Sequence, residues 1–240
     1  MKKMKGIVLA GGKATRLRPL TQITSKQLLP VYDRPMIFYP IQTLIKAGIK
    51  DILIIIAPEY SGHFLNLLGS GKKMGVDFSY EIQEAPRGLA EAFIIGEDFI
   101  GNDNVTMILG DNIFDQDFSK DIQNFKSGGM VYAKKVPDAE RFGVVEFDKN
   151  MKAISIEEKP KKPKSDFAVV GLYTYDNSVV EIAKGLKPSD RNEIEITDIN
   201  NTYLKRGQLK VNVIDGLWED AGTFDSLLRV SNLMAQKSKK

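Results

Sequence analysis

Along the first half of the chain, short apolar runs rich in valine and isoleucine alternate with stretches of helical period. The runs at 6–10, 52–57, 78–83, 105–109 and 130–135 read as strands buried on both faces, and 36–49, 61–68, 88–100 and 118–126 read as amphipathic helices between them. Strand and helix in strict alternation predict an α/β fold whose sheet is mostly parallel. Beyond residue 136 the rhythm changes. "GVVEFD" and "KAISIEEKP" predict a hairpin around Lys149 and Asn150, "FAVVGLYTYD" a further strand, and "FDSLLRVSNLMAQK" a last helix beginning near Thr223.

With 240 residues, the chain is long enough for one sizeable core and too short for several independent domains. It is expected to form one domain over 1–240: about 1–135 as an α/β half, about 136–222 as a smaller β-rich part, and about 223–240 as a terminal helix and tail. A formal charge of +3 spread over many acidic and basic residues lacks the footprint of a nucleic-acid binder. No apolar run is long enough for a membrane span or a signal peptide, so a cytoplasmic protein without membrane or nucleic-acid partners is expected. Absence of cysteine excludes disulfides, thiolate metal sites and cysteine nucleophiles. The single histidine, His63, sits in an amphipathic helical stretch and reads as a surface residue. The closing "QKSKK" reads as a frayed tail.

The segment "LAGGKATRLRPLTQITSKQLLPV" contains the strongest chemical signal. Two glycines follow the first strand, and Lys13, Arg16, Arg18 and Lys26 follow them with no acidic residue between. A dinucleotide fingerprint requires a third glycine that is missing, and a Walker A loop requires Ser or Thr where Ala14 stands. What remains is a loop of backbone amides flanked by cations at the carboxyl end of a strand, which suits a polyphosphate. Arg16 offers a planar fork of donors and Lys26 a compact charge. Lys13 and Arg18 are left outside the set.

Several further segments accompany that loop: "SKQLLPVYDRPMIFYP", "GLAEAFIIGEDFIG", "LGDNIF", "GVVEFDKN", "EEKPKKPKS", "GLYTYDN" and "EITDIN". In this order, over nearly the whole chain, they resemble the sugar-nucleotide pyrophosphorylases, and most closely the glucose-1-phosphate thymidylyltransferases. The resemblance implies a three-layer α/β/α sandwich with a mostly parallel mixed sheet, and an enzyme that joins dTTP to glucose 1-phosphate with release of pyrophosphate. It implies Mg²⁺ held by Asp111 and Asp220, and a triphosphate and base bound by Leu9, Gly11, Gly12, Thr15, Arg16, Gln83, Pro86, Gly88 and Asp111. Arg16, Lys26 and Asp111 are the implied catalytic residues. Lys26, Gly143, Glu158, Lys159 and Glu193 are implied for the sugar phosphate, with Arg191 left outside. A homo-oligomer, dimer or tetramer, is implied as well.

Two departures stand inside the motifs, with a third in length. Ala14 occupies the family's third glycine, and an ordinary backbone is expected there. Phe142 stands where tyrosine is common. The chain stops soon after Lys237, short of the additional terminal helices of longer members. Lys159 precedes Pro160, which predicts an extended backbone; the lysines after Pro160 read as a solvated loop. Asp115 and Asp117 read as caps, Glu219 as a bystander, and Trp218 as packing. The competing readings are the same chemistry with UTP or another sugar 1-phosphate, and a sugar-nucleotide sensor without activity. A nicotinamide oxidoreductase is the weakest rival.

Overall fold

A computed structural model describes residues 2–12 and 14–238. The strands are β1 (Met4–Ala10), β2 (Pro30–Val31), β3 (Arg34–Pro35), β4 (Asp51–Ile56), β5 (Asp77–Ile82), β6 (Asn104–Leu109), β7 (Asn112–Phe114), β8 (Gly129–Lys135), β9 (Gly143–Phe147), β10 (Ala153–Glu158), β11 (Phe167–Tyr175), β12 (Leu209–Val213) and β13 (Trp218–Asp220). The helices are α1 (Phe38–Lys46), α2 (Ser61–Leu68), α3 (Glu91–Ile95), α4 (Glu97–Ile100), α5 (Ser119–Asn124), α6 (Ser178–Gly185), α7 (Ile196–Lys205) and α8 (Phe224–Lys237). The chain is α/β, its central sheet mixed and mostly parallel with flanking helices. The five strands expected in the first half are present, each starting one or two residues earlier than the apolar run that announces it. The helix expected over 88–100 is interrupted at Gly96 and becomes α3 and α4. Among the described residues no helix is long and apolar enough to cross a membrane.

Two compact units interleave along the chain. One contains Arg87–Met107, Asp121–Asp215 and the amino-terminal residues through Lys5; the other contains Gly6–Pro86, Ile108–Lys120 and the residues from Gly216 onward. In the second of these, β1, β4 and β5 pair in parallel, Gly6 opposite Ile52 and Asp51 opposite Asp77. The isoleucines of β4 are almost wholly buried, whereas β5 alternates exposed and half-buried positions as one-sided strands do. Beyond the strand ends, Gly110 N–H donates to Leu9 O at 2.9 Å and Gln83 N–H to Ile56 O at 2.9 Å, so the loops after these strands stay in register. A buried cluster of Val31, Met36, Ile113, Ala221 and Val230, with Tyr39, Leu227 and Met234 against it, holds α8. Thr223 starts that helix with a reciprocal capping box to Ser226. Its last turn includes Gln236 and Lys237, so the expected fraying does not begin there; Lys237 pairs with Asp115. Lys239 and Lys240 lie outside the described residues.

In the other unit, β11 pairs antiparallel with β8 and β9, β9 pairs antiparallel with β10, and β12 adds to β8 in parallel. Residues 143–147 and 153–158 thus form the expected hairpin. Rings on β11 and α7 stack: Tyr173 on Tyr175 at 6.4 Å between centroids and Tyr175 on Tyr203 at 5.4 Å, with Phe93 edge-on to Tyr175 at 5.4 Å. The fully buried Tyr175 hydroxyl donates to Asn200 Oδ1 on α7. This fixes the helix whose first turn carries Thr197.

Two backbone expectations are overturned. Ala14 is left-handed, at φ 47° and ψ 43°. Its carbonyl accepts from Leu17 N–H at 3.1 Å and from the Thr21 hydroxyl at 2.8 Å, and these bonds close a tight turn that requires the unusual conformation. Lys159 is not extended either; its φ is 43°. Proline at 160 disfavours the right-handed helical region for Lys159, and the Lys159 N–H donates to Phe142 O at 2.9 Å, so the strand ends in a left-handed turn.

Tyr175→Phe strands the buried Asn200 amide oxygen and is expected to cost about 1–3 kcal/mol, read as a lower denaturation midpoint with an unchanged slope. For Ala14→Gly two effects oppose each other. Removing the methyl relieves about 1 kcal/mol of left-handed strain, while the freer unfolded chain takes back about 0.4–1 kcal/mol. Stability in denaturant is therefore expected to change by less than about 0.5 kcal/mol, and a loss above about 1 kcal/mol would contradict the strain assigned to this residue.

Candidate active site

The unit built on β1, β4 and β5 gathers all but Gly88 of the residues expected to bind a triphosphate and base. Leu9 and Gly11 are buried at the end of β1, whereas Gly12, Thr15 and Arg16 are exposed in the loop. Lys13 lies outside the described residues. The need for glycine at position 11 is steric: a Cβ there would lie 2.4 Å from Gln83 Oε1, so the buried Gln83 amide rests directly on the glycine backbone. Pro86 is exposed beyond Gln83.

Asp111 and Asp220, far apart in sequence, are brought together by the ladder that pairs β7 with β13. Asp220 stands opposite Asn112, and Ala221 N–H donates to Asp111 O at 3.0 Å. Trp218 Nε1–H donates to Asn112 Oδ1 at 2.6 Å and locks this small ladder, so the buried tryptophan is structural, as expected. Asp111 pairs with Lys26 and accepts from Asn112 Nδ2 at 3.0 Å; Asp220 lies 4.0 Å from Arg16. Two carboxylates and two cations thus form one cluster.

Electrostatics within the cluster oppose desolvation. Burial alone would lower the pKa of the Lys26 ammonium, but the charge and hydrogen bond of Asp111, helped by Asp220, raise it overall. Burial would likewise raise Asp111, and Lys26 with Asn112 brings it below the usual carboxylate range. Lys26 stays protonated and Asp111 ionised at neutral pH. Among the described residues no three acidic or histidine side chains converge as a self-sufficient metal cage. Two carboxylates fit a hard divalent cation whose remaining positions go to phosphate oxygens and water. Gly222 lets the Asp220 carboxylate and the Arg16 guanidinium approach the backbone closely, since a Cβ there would lie 2.8 Å from Asp220 Oδ1 and 2.9 Å from Arg16 Nη2.

The neighbouring acidic residues have other tasks. Asp117 accepts from Ser119 N–H at 2.8 Å at the start of α5, and Glu219 pairs with Arg229 at 2.8 Å. Asp115 is a clamp and not a cap: it accepts from Leu217 N–H at 2.6 Å and pairs with Lys237. His63 is exposed beside Tyr60, as expected of a surface residue.

The unit built on β8 to β12 holds Gly143, Glu158, Lys159 and Glu193, four of the five residues expected for the sugar phosphate, whereas Lys26 belongs to the other unit. Glu158, at the end of β10, accepts from Thr197 Oγ1–H at 2.6 Å through one oxygen and from Arg191 Nη2 at 3.2 Å through the other, with Lys159 Nζ 3.8 Å away. A Cβ on Gly143 would lie 3.1 Å from Thr197 Oγ1 and 3.4 Å from Glu158 Oε2. Arg191 bonds the buried Glu195 through Nη2 at 2.8 Å and lies 3.4 Å from Glu193. Burial would lower the Arg191 pKa, and Glu195, Glu193 and Glu158 together raise it. Asp198 is raised by burial and by the charges of Glu195 and Glu158. Gly88 belongs to this unit also. Its φ is 104°, and a Cβ would fall 2.4 Å from Ile194 O.

Sequence reasoning left Arg191 outside the site and did not name Glu195 or Thr197. The alternation in "EIEIT" places Glu193 and Glu195 on one side of an extended segment, but only the folded loop distinguishes the buried glutamate from its half-exposed neighbour. Phe142 packs under the Arg141 guanidinium at 5.3 Å.

Comparison with known proteins gives a consistent result. A family model described as nucleotidyl transferase matches residues 5–237. The chain is 56% identical over 230 residues to a glucose-1-phosphate thymidylyltransferase of Neisseria meningitidis, covering 93% of this chain and 80% of that protein. It is 54% identical over 236 residues to the enzyme of that name from Mycolicibacterium smegmatis, covering 96% and 82%. Among solved structures, a Bacillus anthracis protein provisionally named a glucose-1-phosphate thymidylyltransferase, in complex with sucrose, superposes with a TM-score of 0.91 at 49% identity over 96% of this chain and 95% of that one. A UDP-glucose pyrophosphorylase complexed with UDP-glucose superposes at 0.84 with 27% identity over 99% and 100%. With a family model spanning almost the whole chain and relatives above half identity, this protein belongs to the nucleotidyl transferase family.

Proposed function

We propose that this chain is a Mg²⁺-dependent glucose-1-phosphate thymidylyltransferase acting in the cytoplasm, where a protein without cysteine has no need of an oxidising compartment. The observation that carries the reading is the cluster of Lys26, Asp111, Arg16 and Asp220 beside the loop after β1. It presents cations for a triphosphate and carboxylates for the ion that accompanies one.

A phosphate oxygen of glucose 1-phosphate attacks the α-phosphorus of dTTP. A P–O bond to that phosphorus forms, the bond to the β-phosphate oxygen breaks, and pyrophosphate leaves with the electron pair. The nucleophile is already an anion, so no side chain has to remove a proton. The protein's contribution is alignment and charge neutralisation. Arg16 forks onto phosphate oxygens, and Lys26, kept protonated by Asp111, balances charge on the transferring group. Lys159 holds the attacking phosphate, while Glu158, oriented by Thr197 and Arg191, accepts hydrogen bonds from sugar hydroxyls. Glu193 is half-exposed on the other side of Arg191 and serves the same subsite. Gln83 pairs with the imide edge of thymine, laid against Gly11. Asp111 and Asp220 would hold Mg²⁺, which when bound would supply charge neutralisation at the phosphate oxygens.

The purified chain is expected to release pyrophosphate from dTTP and glucose 1-phosphate faster than from UTP or other sugar 1-phosphates in a substrate panel. Absence of turnover with every pair would leave a sensor, not an enzyme. Arg16→Ala and Asp111→Asn are each expected to lower kcat by about 10²–10³-fold, with thermal unfolding showing that both variants still fold.

Metal removal is an independent check. Excess chelator should abolish pyrophosphate release, and Mg²⁺ added beyond the chelator should restore it; activity that survives chelation excludes the metal role of Asp111 and Asp220.

A further inference from the structure

The loop after β1 holds an alanine where alanine is disfavoured. Ala14 sits at φ 47° and ψ 43°, and its β-carbon makes that region a minor population in a free chain. Yet the conformation suits the proposed chemistry. Left-handed backbone leading into the helical turn Thr15–Leu17 sets successive N–H groups toward one side, the concavity that takes an anion. Arg16 projects from the same turn, with its guanidinium 4.0 Å from Asp220.

A contact from outside the turn holds the alanine there. The Leu17 N–H bond to Ala14 O, at 3.1 Å, lies within the turn itself. The Thr21 hydroxyl donates to the same carbonyl at 2.8 Å from seven residues along the chain. Thr21 is buried, and its own carbonyl accepts from the Tyr60 hydroxyl at 3.4 Å, just beyond β4. Residues Gly6–Pro86 belong to one compact unit, so the tether is fastened to the body that carries β1 and β4.

We propose that Thr21 is a positioning residue for the triphosphate: its hydroxyl keeps Ala14 left-handed, and so sets the loop amides and Arg16 for phosphate before the nucleotide arrives. The proposal rests on the reaction given above. Without the tether, the competent loop becomes one state among several, and nucleotide affinity falls by the fraction of time the loop spends in it. That fraction is small for alanine. Glycine visits either sign of φ about equally, so the same turn built on glycine has less need of the tether. Positions 14 and 21 are therefore energetically coupled through one hydrogen bond.

The test compares the full chain with Thr21→Val and Thr21→Ala, which remove the hydroxyl, and Thr21→Ser, which keeps it, each also in an Ala14→Gly background. Kd for dTTP is measured by calorimetry with Mg²⁺ and without glucose 1-phosphate, alongside steady-state kinetics and thermal unfolding. Loss of the hydroxyl is expected to weaken dTTP about five- to tenfold with Ala14 in place, and by about twofold or less in the Ala14→Gly background. Thr21→Ser should stay within about twofold of the parent, and kcat at saturation within about threefold in every variant, because bound nucleotide selects the competent loop. A purely structural threonine would lower the thermal midpoint and leave Kd at the parent value. That result overturns the proposal, as does equal weakening in both backgrounds or a Thr21→Ser variant as weak as Thr21→Val. A parent that neither binds nor turns over dTTP overturns the enzymatic reading and this proposal together; an active parent matched by Thr21→Val in Kd overturns this proposal alone.

Discussion

The buried pair of Lys26 and Asp111 is the interaction on which the rest of the candidate nucleotide site depends. Neither charge could be buried without the other, because desolvation would push each toward its neutral form. Held together, they remain ionised in a largely dry setting, where a charge acts on its neighbours far more strongly than in water. Breaking such a pair from one side is costlier than its net worth, since the survivor is left buried and uncompensated. The cluster then has to be supported from behind, and it is. The Asn112–Trp218 bond, the Asp220–Asn112 register and the apolar seat of α8 all serve to keep two distant aspartates on one small ladder.

The same economy governs the candidate sugar subsite, where the Glu158 carboxylate is held from three directions by Thr197, Arg191 and Lys159. Arg191 in turn is anchored by the buried Glu195. Left-handed backbone at Lys159, and at Asn192 in the loop beside Arg191, is concentrated where these side chains are aimed. Backbone strain of this kind persists where surrounding contacts over-determine it. The Ala14 turn, tied by Leu17 and Thr21, is the counterpart on the nucleotide side.

Much of the architecture was legible in one dimension. The β4 run reads as a buried parallel strand because isoleucine fills both faces, whereas β5, read in the same way, proves one-sided, with exposed and half-buried positions alternating. Thr223 and Ser226 announce the start of α8. The sequence reading did not name α6, α7 or β12, although α6 and α7 carry an apolar stripe as clear as that of α8. Gly96 stopped a helix that its flanking residues would have continued, since C-terminal signals there outweigh the apolar pattern.

For the site, sequence alone determined which chemical groups are present: an anion-binding loop with Arg16 and Lys26, aspartates at strand ends, and a glutamine where a base would need one. It also determined the exclusions, since a chain without cysteine and with one histidine cannot build thiolate or multi-histidine chemistry. Tertiary structure decided which groups act as partners. Only folding puts Asp220 opposite Asn112, makes Arg191 the hub of three glutamates, and turns Lys159 and Ala14 left-handed against local expectation. The physical reason is range. Propensity and periodicity act over a few residues, whereas ion pairing, burial and the closure of a hydrogen-bonded turn are settled by neighbours that the chain meets only once it has folded.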